Sequence, residues 1–365
     1  MAQRLQTWAA CEDIVVVSAP KPDATQYSPE VTSKTWKPVL QPQRSLVSRW
    51  WTASFSALTR DLGAHAVSTP VLVTDRDERI DDAQIDSATK VTAPVVEVKP
   101  PADAVLAFND FPAGSTYGTL LHDLLEWQFE RGWPIADEAP SQAMTREWTA
   151  LLRRKAMRLK LDEAQCLLLG GWVKQLAQAS LKLPGPSSSE KSLVLSRLSR
   201  TTAWAEMAFT IPVHTLSANR IDTLIGQHIL QGQTRIPLQP LQLEGMLIGF
   251  MDLVLEHDGK YFVLDYKSNR LPAYGADALQ GAILAHRYDV QYTLYLLALH
   301  RLLKSRIADY DYEQHIGGAI YWFLRGLDQP GAGMFLDRPP KTLIESLDLA
   351  FSQVAFTAQT EEAAS

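Results

Sequence analysis

"GFMDLVLEHDGKYFVLDYKSN", residues 249–269, is strand material interrupted by charge. Apolar residues alternate or run together on both sides of Asp258-Gly259, a dipeptide that favours a two-residue turn. A hairpin closed by that turn pairs His257 with Lys260. Continued from there, the pairing brings Asp252 opposite Asp265 on one face, with Cβ atoms about 5 Å apart. Lys267 lies two residues beyond Asp265 and shares its face. Leu253, Leu255, Phe262 and Leu264 take the other face and enter the core.

Two ionised carboxylates directly opposed repel and weaken a hairpin. Such a pair persists when a cation lies between the acids, or when the two share one proton. An ion-pair cluster on a solvated sheet face is the plain structural alternative, and Val254 and Val263 on the same face weigh against it. A lysine beside the pair favours ionised acids and so a cation. Hard divalent ions such as Mg²⁺ take carboxylate oxygens and retain waters. Lys267 is then available to orient water or to stabilise charge on a phosphate.

Outward from the hairpin, "AEMAFTIPV" (205–213) reads as a strand and "YDVQYTLYLLALHRLLKSR" (288–306) as a long amphipathic helix. "HIGGAIYWFLRG" (315–326) reads as a buried strand and "PKTLIESLDLAFSQVA" (340–355) as a closing helix. Upstream, "STYGTLLHDLLEWQFERG" (115–132) has apolar residues at helical spacing, with Ser115 or Thr116 as cap and Gly132 as stop. Further helical patterns are expected at 143–158, 162–182 and 190–203. This order predicts an α/β fold, a mixed sheet covered by helices on both faces. Residues 1–62 read as an N-terminal connector region containing a short strand at 12–18 and a partly helical stretch from 45. Residues 63–107 read as a flexible linker, 108–356 as the folded domain and 357–365 as a frayed tail.

The 365 residues are 46% hydrophobic and 21% charged, as a globular protein with a proper core requires. Cys11 and Cys166 are far apart and match no zinc spacing, so a reducing, cytoplasmic compartment is expected. The first twenty residues lack the basic head and apolar run of a signal peptide, and no apolar stretch is long enough to span a membrane. Net charge is -6, yet residues 143–202 hold eleven Lys/Arg against four Asp/Glu. "LLRRKAMRLKL" (151–161) is either a solvated helix face or a surface for phosphates.

The pattern Asp–x12–Asp–x–Lys on a strand pair resembles the PD-(D/E)xK nuclease superfamily with its restriction-endonuclease-like core. The longer strings, with "YDVQYTLYLLALHRLL", "DYDYEQHIGGAIYWFLRG" and "FPAGSTYGTLLHDLLE", resemble one branch of it, the RecB-type C-terminal nuclease domain of exodeoxyribonuclease V beta subunits. The resemblance covers about 108–350, with a weaker echo at 46–60. It implies that Asp252 and Asp265 bind metal, that Lys267 is the catalytic lysine, and that the Tyr266 carbonyl completes the metal shell. His122 is similar to the family's histidine ligand, and Glu206 resembles an accessory acid. Gln291 and Tyr295, four apart on one helix face, match a Gln-x3-Tyr motif that contacts DNA or supports the acids. Arg270-Leu271-Pro272 departs from the family pattern after "DYKSN".

The activity so implied is Mg²⁺-dependent hydrolysis of DNA, with Mn²⁺ tolerated, in double-strand-break repair and recombination. Single-stranded DNA is the expected partner, held along its backbone by the basic region, together with the gamma and alpha subunits of the parent complex. No G-x-x-x-x-G-K-S/T phosphate loop occurs, so helicase activity is not expected in this chain. A docking module of the same fold without turnover is the alternative, and the intact acids favour the enzyme.

Overall fold

A computed structural model describes Val17 and residues 51–59, 108–131, 142–183, 191–329 and 331–352. Apart from Val17, the expected strand at 12–18, the linker at 63–107 and the tail at 357–365 lie outside the described residues.

The hairpin forms as read. Strand β5 spans Gln242–His257 and β6 spans Lys260–Lys267. Asp258 and Gly259 both have positive φ, 61° and 75°, the conformation of a turn whose twist matches its strands. Residues pair from His257↔Lys260 to Leu253↔Leu264. Around this ribbon stand β1 (Trp51–Ala53), β4 (Ala203–Ser217), β7 (Ile316–Phe323) and β8 (Met334–Asp337). β4 runs antiparallel to β5, β1 parallel to β5, β7 parallel to β6 and β8 antiparallel to β7. The six-stranded sheet is therefore mixed, as expected. A separate ribbon pairs β2 (Leu181–Leu183) with β3 (Lys191–Leu193).

Alternation along the strands sends side chains to two cores. Val263, Ala319 and Tyr321 join one. Phe262, Leu264, Ile320 and Trp322 join the other. The first core is covered by α5 (Ala218–His228), α6 (Ala276–Ala285), α7 (Tyr288–Arg306) and α9 (Lys341–Ser352). The second is covered by α2 (Ser115–Arg131), α3 (Gln142–Leu159) and α4 (Glu163–Gln178). Two short helices, α1 (Phe55–Thr59) and α8 (Tyr312–His315), complete the set among the described residues. No helix among those residues is long and apolar enough to cross a membrane.

Three expectations change. Residues 190–203 do not form a helix; they give β3, a single 3-10 turn at Leu195–Arg197 and the start of β4. The expected helix at 162–182 ends at Gln178, because Leu181 and Leu183 pair in β2. Helix α7 has the expected bounds but is not amphipathic, since every residue from Tyr288 to His300 is buried. It fills the crossover between parallel strands β6 and β7, and a helix packed on all sides can be apolar all round. Helices α5 and α6 and strand β8 were not legible as separate elements.

One side chain ties the start of α2 to the end of β6. Arg325, 2% exposed, donates from Nε to the Ser268 carbonyl at 2.8 Å. Its Nη1 donates to the carbonyls of Phe108 and Phe111, at 2.9 and 2.8 Å, and its Nη2 to that of Pro112 at 2.8 Å. Arg270 adds a bond to the Phe111 carbonyl at 2.7 Å, so the loop after "DYKSN" is anchored although its sequence is unusual. Gly118 on α2 sits so close that an added Cβ would lie 2.8 Å from Ser268 Oγ.

A lysine ammonium cannot reproduce the planar fork of Arg325. Each buried carbonyl left without its donor costs about 1–3 kcal/mol. We expect Arg325→Lys to lower the unfolding free energy by about 2–4 kcal/mol in denaturant titrations. An unchanged midpoint and slope would show that the clamp contributes nothing.

Candidate active site

Asp252 sits where the sheet changes sides. Along β5, Met251 packs into the first core and Leu253 into the second. Along β4, Met207 and Ala205 divide in the same way. The β4–β5 register is the same on both sides of this point, from Met207↔Met251 to Ala205↔Leu253. Glu206, between the two β4 residues, has φ of +49°, an unusual value for a residue with a side chain. Strain of this kind costs about 1–3 kcal/mol and gathers at functional sites.

The β5–β6 ladder stops at Leu253↔Leu264, one step before the acids. Asp252 turns its carboxylate to other partners. Its Oδ2 accepts the Tyr266 N–H at 2.8 Å, and its Oδ1 lies 3.2 Å from Nδ1 of His122. Helix α2 delivers His122 to this point, where its ring meets the Tyr266 ring edge-on at 5.6 Å. The two acids thus belong to one site without forming the ladder pair that the turn register suggested.

Lys267 is 4% exposed and Asp265 3%. The ammonium lies 3.0 Å from Asp265 Oδ2 and donates to Gln291 Oε1 at 3.1 Å. It stands 4.1 Å above the Tyr288 ring and 5.3 Å from that of Tyr321. Gln291 Oε1 also accepts from the Tyr321 hydroxyl at 2.7 Å, while its Nε2 donates to Tyr295 at 3.0 Å. These bonds orient the amide so that its oxygen faces the lysine. Gln291 and Tyr295 are buried and bond inward, Gln291 to Lys267 and Tyr295 to Gln291. Tyr288 and Tyr321 were not anticipated. The register Asp265↔Tyr321 joins parallel strands and is set by packing, so no turn announces it.

Tyr266 reports how closely the acids gather. Burial first, then the negative charges of Asp252, Glu206 and Asp265, hold its phenol well above the usual tyrosine range. Glu206 is half-buried, with its Oε2 atom shielded from solvent. His122 and Asp252, each 9% exposed, form the more open side of the cluster.

Among the described residues, no three His, Cys, Asp or Glu side chains converge tightly enough to enclose a metal unaided. The donors nevertheless fit a hard divalent ion. Mg²⁺ keeps several waters and takes one or two carboxylates plus substrate phosphates, so a partial protein shell suits it. The residues able to contribute are Asp252, Asp265, His122 and the Tyr266 carbonyl.

Comparison with known proteins identifies the family of the chain. Residues 103–364 match the family model described as the PD-(D/E)XK nuclease superfamily. The chain is 41% identical over 258 residues to the RecBCD enzyme subunit RecB of Escherichia coli, a match covering 68% of this chain and 20% of that protein. It is 35% identical over 250 residues to the subunit of the same name from Haemophilus influenzae, covering 66% and 19%. The Mycobacterium tuberculosis subunit is 27% identical over 346 residues, covering 83% and 29%. The matches span about a fifth to three tenths of the length of these curated relatives.

Removing the Gln291 oxygen takes one acceptor away from two buried donors, Lys267 Nζ and the Tyr321 hydroxyl. We expect Gln291→Leu to cost about 1–3 kcal/mol of stability through the lost buried hydrogen bonds, and Gln291→Glu to cost less. Equal unfolding midpoints for the two variants would dismiss the shared oxygen as a support.

Proposed function

Because this chain belongs to the PD-(D/E)XK nuclease superfamily, we propose that it hydrolyses DNA phosphodiester bonds as the nuclease part of a RecBCD-type enzyme. The reading rests on one observation: Asp252, Asp265, Lys267 and His122 gather at the end of one hairpin, with a buried lysine beside the acids. A divalent ion, Mg²⁺ with Mn²⁺ as substitute, supplies Lewis acidity toward the scissile phosphate and activates water when bound. Asp252, Asp265 and His122, with the Tyr266 carbonyl, would hold it.

The chain's own groups do the remaining work. Asp265 and Gln291 fix the Lys267 ammonium from two sides, and the two tyrosine rings limit its motion. A cation so held needs little reorganisation as negative charge grows on the phosphate. His122 and Asp252, on the more open side, receive the strand. Glu206 adds negative charge beside the acids and favours cation binding. Single-stranded DNA is the proposed substrate, the other subunits of a RecBCD-type complex the proposed partners, and double-strand-break repair the proposed setting. Acting on chromosomal DNA, the protein would work in the cytoplasm.

The test is degradation of linear single-stranded DNA with Mg²⁺ or Mn²⁺ and an EDTA control. We expect Asp265→Ala and Lys267→Ala each to lower the rate by at least about a hundredfold while the fold survives by circular dichroism. Variants that cut as fast as the parent would remove the assignment. Binding without turnover at every metal concentration would favour a docking module instead.

A further inference from the structure

Helix α3 carries a charge distribution that the fold does not use. Arg146, Arg153, Arg154 and Arg158 are all exposed, and none of their side chains has an ion pair or hydrogen bond among the described residues. Other surface cations are engaged, among them Arg338 with Glu313, Lys341 with Asp311, and Arg131 with Glu147. Arg220, Lys304 and Arg306 are exposed without an ion pair among the described residues but do not cluster on one helix face as four. The side of α3 that packs inward is different in kind, with Leu151, Leu152 and Ala156 buried. At helical spacing the four arginines occupy the solvent side, in an arc opposite that buried stripe. Measured along the axis they extend over about 18 Å. Within Gln142–Leu159 the one acid is Glu147, and Arg131 of α2 lies 3.7 Å from it. Uncompensated like charge on one helix is unfavourable by itself. It is also out of character for a chain of net charge -6.

The position of this stripe is set by its contacts with α2. Lys155 pairs with Asp123, Trp148 packs on Trp127 at 5.4 Å, and Glu147 meets Arg131. Rising residue numbers on α2 thus meet falling numbers on α3, so the helices run antiparallel. The C-terminal half of α3 lies beside the part of α2 that carries His122. Lys155 grips Asp123, the neighbour of His122, and Arg154 adjoins Lys155 on the exposed side. Met157, 78% exposed, stands among the arginines.

We propose that the solvent face of α3 is a phosphate-backbone track, and that Arg146, Arg153, Arg154 and Arg158 lead a DNA strand toward the His122–Asp252 side of the site. The ligand class is a nucleic-acid phosphodiester backbone, contacted without regard to base. Charge complementarity supports this occupant: four arginine forks present planar donors suited to phosphate. A local positive field on a negative protein also selects where a polyanion approaches. The track rests on the reading of the chain as a DNA nuclease and adds the surface that presents the substrate.

The experiment measures binding of the whole chain to fluorescent single-stranded and duplex oligonucleotides of several sequences, in EDTA, across a range of salt concentrations. The test protein carries R146Q, R153Q, R154Q and R158Q together. A control changes three exposed cations on other elements, Arg220, Lys304 and Arg306, to Gln. All these positions are exposed, so the variants should keep the parent's unfolding midpoint. Each lost phosphate contact removes about 0.7 from the slope of log affinity against log salt for a single strand and about 0.9 for a duplex. The expected result is a single-strand slope shallower by roughly 3 in the four-arginine variant, alike on every sequence, and little changed in the control. Cleavage at limiting DNA should fall with affinity. An unchanged slope overturns the track, and so does a loss confined to one sequence. Retained DNA binding with lost binding to polyglutamate would assign the face to an acidic protein and also overturn it. Failure of the nuclease reading is distinct: there the parent protein itself neither binds nor cuts.

Discussion

An ammonium group removed from water must find its hydration replaced, and Lys267 shows how much of this fold answers that demand. Asp265 supplies the opposite charge, Gln291 an oriented oxygen, and Tyr288 and Tyr321 two ring faces. These come from β6, α7 and β7. The lysine can therefore stay buried only when the crossover helix is seated between the two parallel strands. Breaking one partner of such a cluster leaves an uncompensated charge, which is why buried polar groups of this kind are costly to disturb. A site so assembled is rigid, and it is also dependent on the complete sheet.

Asp252 is held by a different device. The β4–β5 ribbon changes faces at Asp252 and Glu206, and the β5–β6 ladder ends just before it. A strand pair in regular register would direct Asp252 by alternation alone. The change of faces, with Glu206 at positive φ, lets its carboxylate reach the Tyr266 N–H and His122 together. Helix α2 is brought within range by the Arg325 clamp and by the close approach of Gly118 to Ser268. The more buried half of the site thus serves Lys267 and Asp265, and the more open half presents His122 and Asp252. The proposed arginine track lies on α3, which packs against the helix that carries His122.

Much of the site was legible because hairpins obey local rules. Asp258-Gly259 announced its turn, and the register from His257 to Leu253 followed from it. The inward positions Leu253, Leu255, Phe262 and Leu264 were read correctly, since alternation has period two and both cores need apolar residues. Residues 190–203 were misread because a short amphipathic run carries little evidence, and pairing with Leu181–Leu183 decided it. The character of α7 was missed for a related reason. Periodicity reveals a helix with a wet side, whereas this one is covered by the sheet and by helices α5, α6 and α9.

The amino-acid order alone determined the turn, the strand pair, the approximate bounds of α2, α3, α7 and α9, and the proximity in sequence pattern of Asp252, Asp265 and Lys267. Each of these depends on neighbours a few residues away, where steric and hydrogen-bonding rules act directly. Tertiary structure decided that His122 meets Asp252 across 130 residues, that Gln291 faces Lys267, and that Tyr288 and Tyr321 enclose it. It also decided that the two acids leave the ladder before pairing. These contacts follow from how helices seat on a twisted sheet, and that seating is set by the packing of whole surfaces, which no local rule encodes.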